Sequence, residues 1–275
     1  MDEAETSWRG IRVLVSGGSG FLGTAVVERL LAAGAEIVGL VRDRAAAGSF
    51  ARHRLAGRVR ILHGRPDDLF RVHSALAIHE IQRVFHFAPA DVATFDRGLT
   101  TILEAVRKYD PRVPVTCARG GTGATLLTTP APLGFARFEE LFGPDPEARG
   151  AIASIANALI DGTPTFPSEL GPRDYVQVGD AARACLLLAE EVARTGTPTV
   201  REATFRSGWQ FNERELVSAI RDVLNGVVPE VPFLGEPSHA VGWSPTGRFG
   251  EHLLEAVNWY RERPRARPER RRVAA

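Results

Sequence analysis

Residues 11–41 hold the feature that most narrows what this chain can become. Ile11-Arg12-Val13-Leu14-Val15 is a compact apolar run of the kind buried in a parallel sheet, and it ends at Gly17-Gly18-Ser19-Gly20-Phe21-Leu22-Gly23. Thr24 to Ala33 follows with helical spacing and stops at Gly34, and Glu36-Ile37-Val38-Gly39-Leu40-Val41 gives a second strand. Strand, glycine turn, helix and strand in so short a span make a βαβ unit. Glycine serves such a turn in three ways: a tight reversal, close approach of the backbone to a ligand, and close packing of helix on strand. The helix then faces the turn with free N–H groups and the positive end of its dipole, which suits an anion and, in this setting, the pyrophosphate of a dinucleotide.

Beyond this unit, strands fit Val59 to His63, Arg83 to Phe87 and Val113 to Cys117, with helices near 67–79 and 98–109 between them. This alternation predicts an α/β chain with a Rossmann-type doubly wound parallel sheet. From about Thr122 the pattern loosens into Gly-, Pro- and Thr-rich sequence, and helices return at Ala148 to Leu159, Asp180 to Ala193, Glu213 to Leu224 and Gly250 to Arg261. The expected organisation is a dinucleotide-binding core over 1–130, rejoined by about 165–195, a small C-terminal substrate lobe made mainly of 131–262, and a basic tail over 263–275. The tail is rich in arginine and proline, a composition that argues against packed structure.

The 34 basic and 33 acidic residues leave a formal charge of +1, so no overall field gathers polyanions, and nucleic acid is not an expected partner. Cys117 and Cys185 lack the close spacing of metal or redox pairs, and the His, Cys and carboxylate spacings predict no metal site. No apolar run approaches the ~20 residues of a membrane helix, and the start at Met1-Asp2-Glu3 is acidic, so the expected location is the cytoplasm, with no membrane partner. A small-molecule substrate is the expected partner, and a homodimer is compatible with such a chain.

At the end of the second strand an acidic residue would hold the ribose hydroxyls of NAD, whereas an arginine would favour the extra phosphate of NADP. Arg42, Asp43 and Arg44 stand there. Arg42 favours NADP; the alternative is NAD, with Asp43 on the ribose.

Four segments, in order, resemble the extended short-chain dehydrogenases, the NAD-dependent epimerases and dehydratases that act largely on nucleotide sugars. These are Val13 to Gly23, Val84-Phe85-His86-Phe87-Ala88-Pro89-Ala90, Arg173-Asp174-Tyr175 with the residues to Ala182, and Gly242-Trp243-Ser244-Pro245. The resemblance implies phosphate contacts at Gly17, Gly20 and Gly23, with Phe21 and Leu22 beside them. It also implies Phe87, Ala88 and Pro89 against the cofactor, and Arg173 on a substrate diphosphate, where a guanidinium suits phosphate oxygens.

Three departures from the family's pattern bear on function. After His63-Gly64 the family has an adenine-reading aspartate; here Arg65 and Pro66 intervene and Asp68 and Leu69 follow. The family's asparagine after the sixth strand is not found in Thr128 to Gly134. The Tyr-x-x-x-Lys pair, in which tyrosinate moves the substrate proton and lysine lowers its pKa, is absent at Tyr109, Tyr175 and Tyr260. One alignment puts Leu133 and Arg137 in those places. The preferred one deletes that helix and joins the fifth strand at Val115 to a sixth at Ala124 to Thr129. Candidate replacements are Thr116 and Cys117, then Arg119, with Glu139, Glu140 or Asp145 from the following loop; His86 reads as mostly positional. Two functions remain open: a divergent NAD(P)-binding epimerase/dehydratase-like enzyme acting on a nucleotide-sugar-like or other small polar substrate, and a non-catalytic nucleotide-binding regulatory or scaffold protein.

Overall fold

The structure, a computed structural model, describes residues 8–42, 50, 53, 55–87, 92–120, 129–146, 148–164, 171–231 and 235–263. Asp43, Ala88, Pro89, the Ala124–Thr128 stretch and the tail from Pro264 therefore lie outside the described residues, and of Arg119 only the backbone is described.

The strands of the main sheet are β1 (Arg12–Ser16), β2 (Glu36–Val41), β3 (Val59–His63), β4 (Arg83–Phe87), β5 (Val115–Gly120), β6 (Leu133–Phe138) and β9 (Val200–Thr204). They lie in the order β3-β2-β1-β4-β5-β6-β9, every neighbouring pair parallel. Chain order reverses between β1 and β4, and in a sheet wound this way the crevice at that reversal, beyond the carboxyl ends of the strands, is where ligands enter. Helices α1 (Phe21–Ala32) and α5 (Val178–Thr195) pack together on one face, with Val26, Val27, Leu30, Ala181, Cys185 and Leu188 in their shared core. On the other face, α2 (Leu69–Ile78) and α3 (Val92–Tyr109) bury Val72, Leu76, Phe95, Ile102 and Val106 against Leu14, Val84 and Val115.

A second sheet belongs to the smaller lobe and is made of β7 (Glu140–Phe142), β8 (Arg173–Gln177) and β10 (Gln210–Phe211), in the order β10-β8-β7. Helices α4 (Ala151–Ile160), α6 (Glu213–Leu224) and α7 (Phe249–Glu262) cover it through Phe142, Tyr175, Trp209, Phe249 and Leu253. The start of α6 carries a capping box: Asn212 accepts from the N–H of Glu215 at 3.0 Å and the Glu215 carboxylate accepts from the N–H of Asn212 at 2.8 Å.

The sixth strand differs from the sequence expectation. It runs over Leu133–Phe138, within the stretch assigned mainly to the lobe, and pairs directly with β5 in register Val115↔Leu133. Two-residue alternation explains the placement: Leu133 and Phe135 enter one core, Ala136 and Phe138 the other. Just before it, Pro130 and Pro132 lack the N–H a central strand must donate, while the Pro132 carbonyl accepts from the N–H of Val115 at 2.9 Å. Leu133 and Arg137 thus occupy a strand, which removes the alignment that set them on a tyrosine–lysine helix. The Arg137 guanidinium lies 4.8 Å from the centre of the Phe135 ring and pairs with Glu202 on β9.

Candidate functional site

The glycine turn connects the carboxyl end of β1 to α1, and each glycine meets a different demand. Gly17 has φ +77°, and a Cβ on it would lie 2.5 Å from the carbonyl oxygen of Phe87 at the end of β4. A Cβ on Gly23 would lie 2.1 Å from the Gly17 carbonyl oxygen, so α1 could not sit down on its turn. Gly20 is different: its φ is −88°, and the nearest atom to its Cβ would be the Gly17 oxygen at an ordinary 3.5 Å. Gly17 and Gly23 are required by the fold, whereas among the described residues nothing crowds a Cβ on Gly20.

Gly20 is also the N-cap residue of α1, which has neither a side-chain cap nor an acidic residue in its first turn. Among the described residues no side chain caps the positive end of α1. Phe21 and Leu22 are half-buried in that turn, Phe87 closes its floor, and Arg42 is exposed just past β2. These features fit a dinucleotide: a cradle that a Cβ would fill, an uncapped helix start for the pyrophosphate, and a cation at the second strand's end.

Asp68 and Leu69, the candidates for the adenine side, begin the next helix. Asp68 is the N-cap of α2 and accepts from the N–H of Arg71 at 3.0 Å, while Asp67 pairs with Arg65 at 2.9 Å. The Asp68 carboxylate thus has a local role, and Leu69 is the half-buried first residue of that helix.

The catalytic candidates on β5 lie within the core. Thr116 and Cys117 sit in the amino-terminal half of the strand, 1% and 0% exposed, and the Cys117 thiol donates to the Gly134 carbonyl at 3.4 Å. Neither reaches the carboxyl edge where the glycine turn stands, so both pack as core residues. His86 is enclosed too: its Nε2 lies 3.3 Å from the Phe95 carbonyl, its ring stacks on Phe95, and burial pulls its pKa down to about 4. A neutral, walled-in imidazole fits a positional role.

Glu139 and Glu140 do reach that edge, because β6 runs parallel to β1 and delivers them at its carboxyl end. Glu140 Oε1 accepts from Arg173 Nη1 at 2.5 Å, and its other oxygen stands against Gly150, the N-cap of α4, 3.1 Å from where a Cβ there would be. Glu139 accepts from the N–H of Asp174 at 3.0 Å. The partner of Arg173 is therefore Glu140, and not its neighbour in sequence, Asp174. The hydrogen bond from Arg173 to this carboxylate raises the guanidinium pKa still further. Asp174 is fully buried and accepts from the N–H groups of Ser207 and Gly208, each at 2.8 Å; burial pushes its carboxyl upward while these bonds oppose the shift. Asp180 binds the N–H and hydroxyl of Thr246, and Trp243 of the late turn donates its indole N–H to the Asp180 carbonyl at 2.9 Å.

Asp145 lies beside a cavity of about 450 Å³ between α1, the start of α5 and the segment after β7. His53 bridges Asp145 at 3.3 Å and Glu28 at 3.7 Å, and burial raises the Glu28 carboxyl. Among the described residues no group of three His, Cys, Asp or Glu is placed to hold a metal ion, and no helix is long and apolar enough to cross a membrane.

Comparison with known proteins follows the same division of the chain. Residues 13–113 match the model of the NAD dependent epimerase/dehydratase family. Solved structures of nucleotide-sugar epimerases and related enzymes share the whole fold. UDP-glucose 4-epimerase from Thermotoga maritima, crystallised with UDP-glucose, is 19% identical with TM-score 0.70, over 91% of this chain and 99% of that one. WbmF from Bordetella bronchiseptica, crystallised with NAD+ and UDP, gives 18% and 0.71 over 92% and 93%. UDP-glucose 4-epimerase from Thermus thermophilus, crystallised with NAD, gives 23% and 0.67 over 92% and 99%.

One departure is sharper than spacing alone conveys: the whole sequence holds a single lysine, Lys108. It lies near the end of α3, at the opposite edge of the sheet from the glycine turn, in an ion pair with Glu104. Tyr175 and Tyr260 are buried, and burial raises both phenols well above their usual range. No Tyr-x-x-x-Lys pair stands anywhere in the sequence.

Proposed function

We propose that the chain binds a nicotinamide dinucleotide at the Gly17–Gly23 turn and acts as an epimerase/dehydratase-like enzyme on a sugar-like or other small polar substrate. The observation that carries the reading is Gly20, bare at an uncapped helix start while Gly17 and Gly23 are locked by the fold. The family match over residues 13–113 supports it. When bound, such a cofactor supplies hydride exchange; the chain's part is to hold the pyrophosphate at α1 and to present Arg42 to the adenosine ribose. Arg42 supports NADP over NAD. Proton movement falls to groups other than tyrosine and lysine, and Glu139 and Glu140 are the carboxylates that β6 brings to the ligand edge. The Arg173–Glu140 pair is the proposed feature on the substrate side.

The lone, remote Lys108 favours a second reading, a nucleotide-responsive binding protein without turnover. Calorimetry with NAD(H) and NADP(H), and mass analysis of nucleotide carried through purification, test the binding common to both. Turnover of sugar substrates, followed by exchange of the hydrogen on the reacting carbon, separates them. Dinucleotide binding with no exchange on any sugar would leave the second reading; no dinucleotide binding would remove both.

A further inference from the structure

The Arg173–Glu140 pair narrows the substrate, an inference that rests on the enzyme reading above. A guanidinium at the ligand edge would ordinarily take a phosphate through paired charge-assisted hydrogen bonds. Here Arg173 is held by a carboxylate of its own chain at 2.5 Å, with the arginine side chain 36% and the glutamate 20% exposed. The other oxygen of the same carboxylate stands close to Gly150, so the pair is packed against the backbone just before α4. Glu139 lies on the adjoining backbone N–H, and Asp174 is buried behind it. Burial raises the Tyr175 phenol, Glu140, Glu213 and Glu139 add to the rise, and Arg173 opposes it. Arg149, which precedes Gly150, is exposed and stands outside the pair.

We propose that Glu140 is a specificity-determining residue that occupies, with its own carboxylate, the place an anionic substrate group would take on Arg173. The site then selects an uncharged or cationic polyhydroxy or amino compound and refuses a nucleoside diphosphate. A diphosphate would have to displace Glu140 and leave that carboxylate half-buried without its cation, a loss that opposes binding. Seated on β7 beside β8, the carboxylate is fixed by strand pairing (Glu140↔Tyr175), not by a mobile loop.

The test is calorimetric titration of UDP, with and without NAD+, into wild type, Glu140→Gln, Arg173→Ala and the double variant. Wild type should bind UDP more weakly than about 1 mM, Glu140→Gln should bind it at least about tenfold more tightly, and the double variant should lose that gain. In the wild-type background Arg173→Ala should leave UDP affinity unchanged, a comparison that holds even if Glu140→Gln fails to fold. Micromolar UDP binding by wild type, no gain in a folded Glu140→Gln, or a loss in Arg173→Ala alone would each overturn the proposal. Dinucleotide binding is read in separate titrations, so its absence would count against the function proposed above without touching the UDP result.

Discussion

The starts of α1 and α4 make an instructive pair. Both have glycine as the N-cap residue, Gly20 and Gly150, and neither has an acidic residue in its first turn. Beside the start of α4 stands the Glu140 carboxylate from β7; the start of α1 has no side-chain cap among the described residues. The contrast extends through both regions. In the lobe, Asp174 satisfies the N–H groups of Ser207 and Gly208, Asp180 satisfies Thr246, and Glu139 satisfies Asp174. Donors filled from within hold a structure together. The glycine turn differs: two of its glycines are fixed sterically, and the helix it opens has no side-chain cap among the described residues.

The strongest way to break this comparison is Gly20→Val. Its Cβ has room in the protein but enters the cradle, so dinucleotide affinity should fall by more than about a hundredfold, the worth of one or two charge-assisted hydrogen bonds, with the melting temperature little changed. Calorimetry and a thermal melt on the same sample read both; full binding would refute the assignment of the turn. On the filled side, Asp174→Ala orphans two buried N–H groups and should cost about 3 kcal/mol in urea unfolding, with no direct effect on the cradle. A loss within experimental error would mean that the lobe does not depend on its internal anion.

His86, in the core beside Phe95, gives a prediction in pH. Burial holds its folded pKa near 4, against 6.5 for a free histidine, so the unfolded chain takes up a proton in that window and the native one does not. Its contribution is therefore complete above about pH 6.5 and is lost as pH falls towards 4. Between pH 7 and 5 it removes about 2 kcal/mol from wild type, a slope that should flatten in His86→Gln when unfolding is followed at each pH. An effect of similar size, confined to one cofactor, is expected at Arg42. Its replacement by alanine should weaken NADP by roughly ten- to a hundredfold and leave NAD nearly unchanged in parallel titrations. Equal losses for both would mean that it does not read the 2′-phosphate.

The contrast also explains what can be read from the sequence. β2, β3 and β4 fall where their apolar runs place them, and α6 spans Glu213–Leu224 as its periodicity predicts, because such signals are local. β6 lies away from its expected position because Gly134 and Arg137 interrupt its apolar pattern, and what fixes it is pairing with β5 and β9. β7, β9 and β10 are short or polar, and only their partners make them strands. The glycine turn is legible since seven consecutive residues build it. The Glu140–Arg173 pair is not, since its members stand 33 residues apart and meet only through β7 and β8. Nor can spacing show that Thr116 and Cys117 sit too far down β5 to face a ligand.

The two outermost strands of the main sheet carry a consequence for association. β3 and β9 are each five residues long; β3 exposes Arg60 and His63, and β9 exposes Arg201 and Glu202. An edge strand displays unpaired backbone groups to any passing strand, and short length with outward charge is how such an edge is kept from being extended. Joining two copies edge to edge would strip these charged and polar side chains of water. Among the described residues the sheet ends at seven strands, and this desolvation opposes its extension by a second copy at either margin.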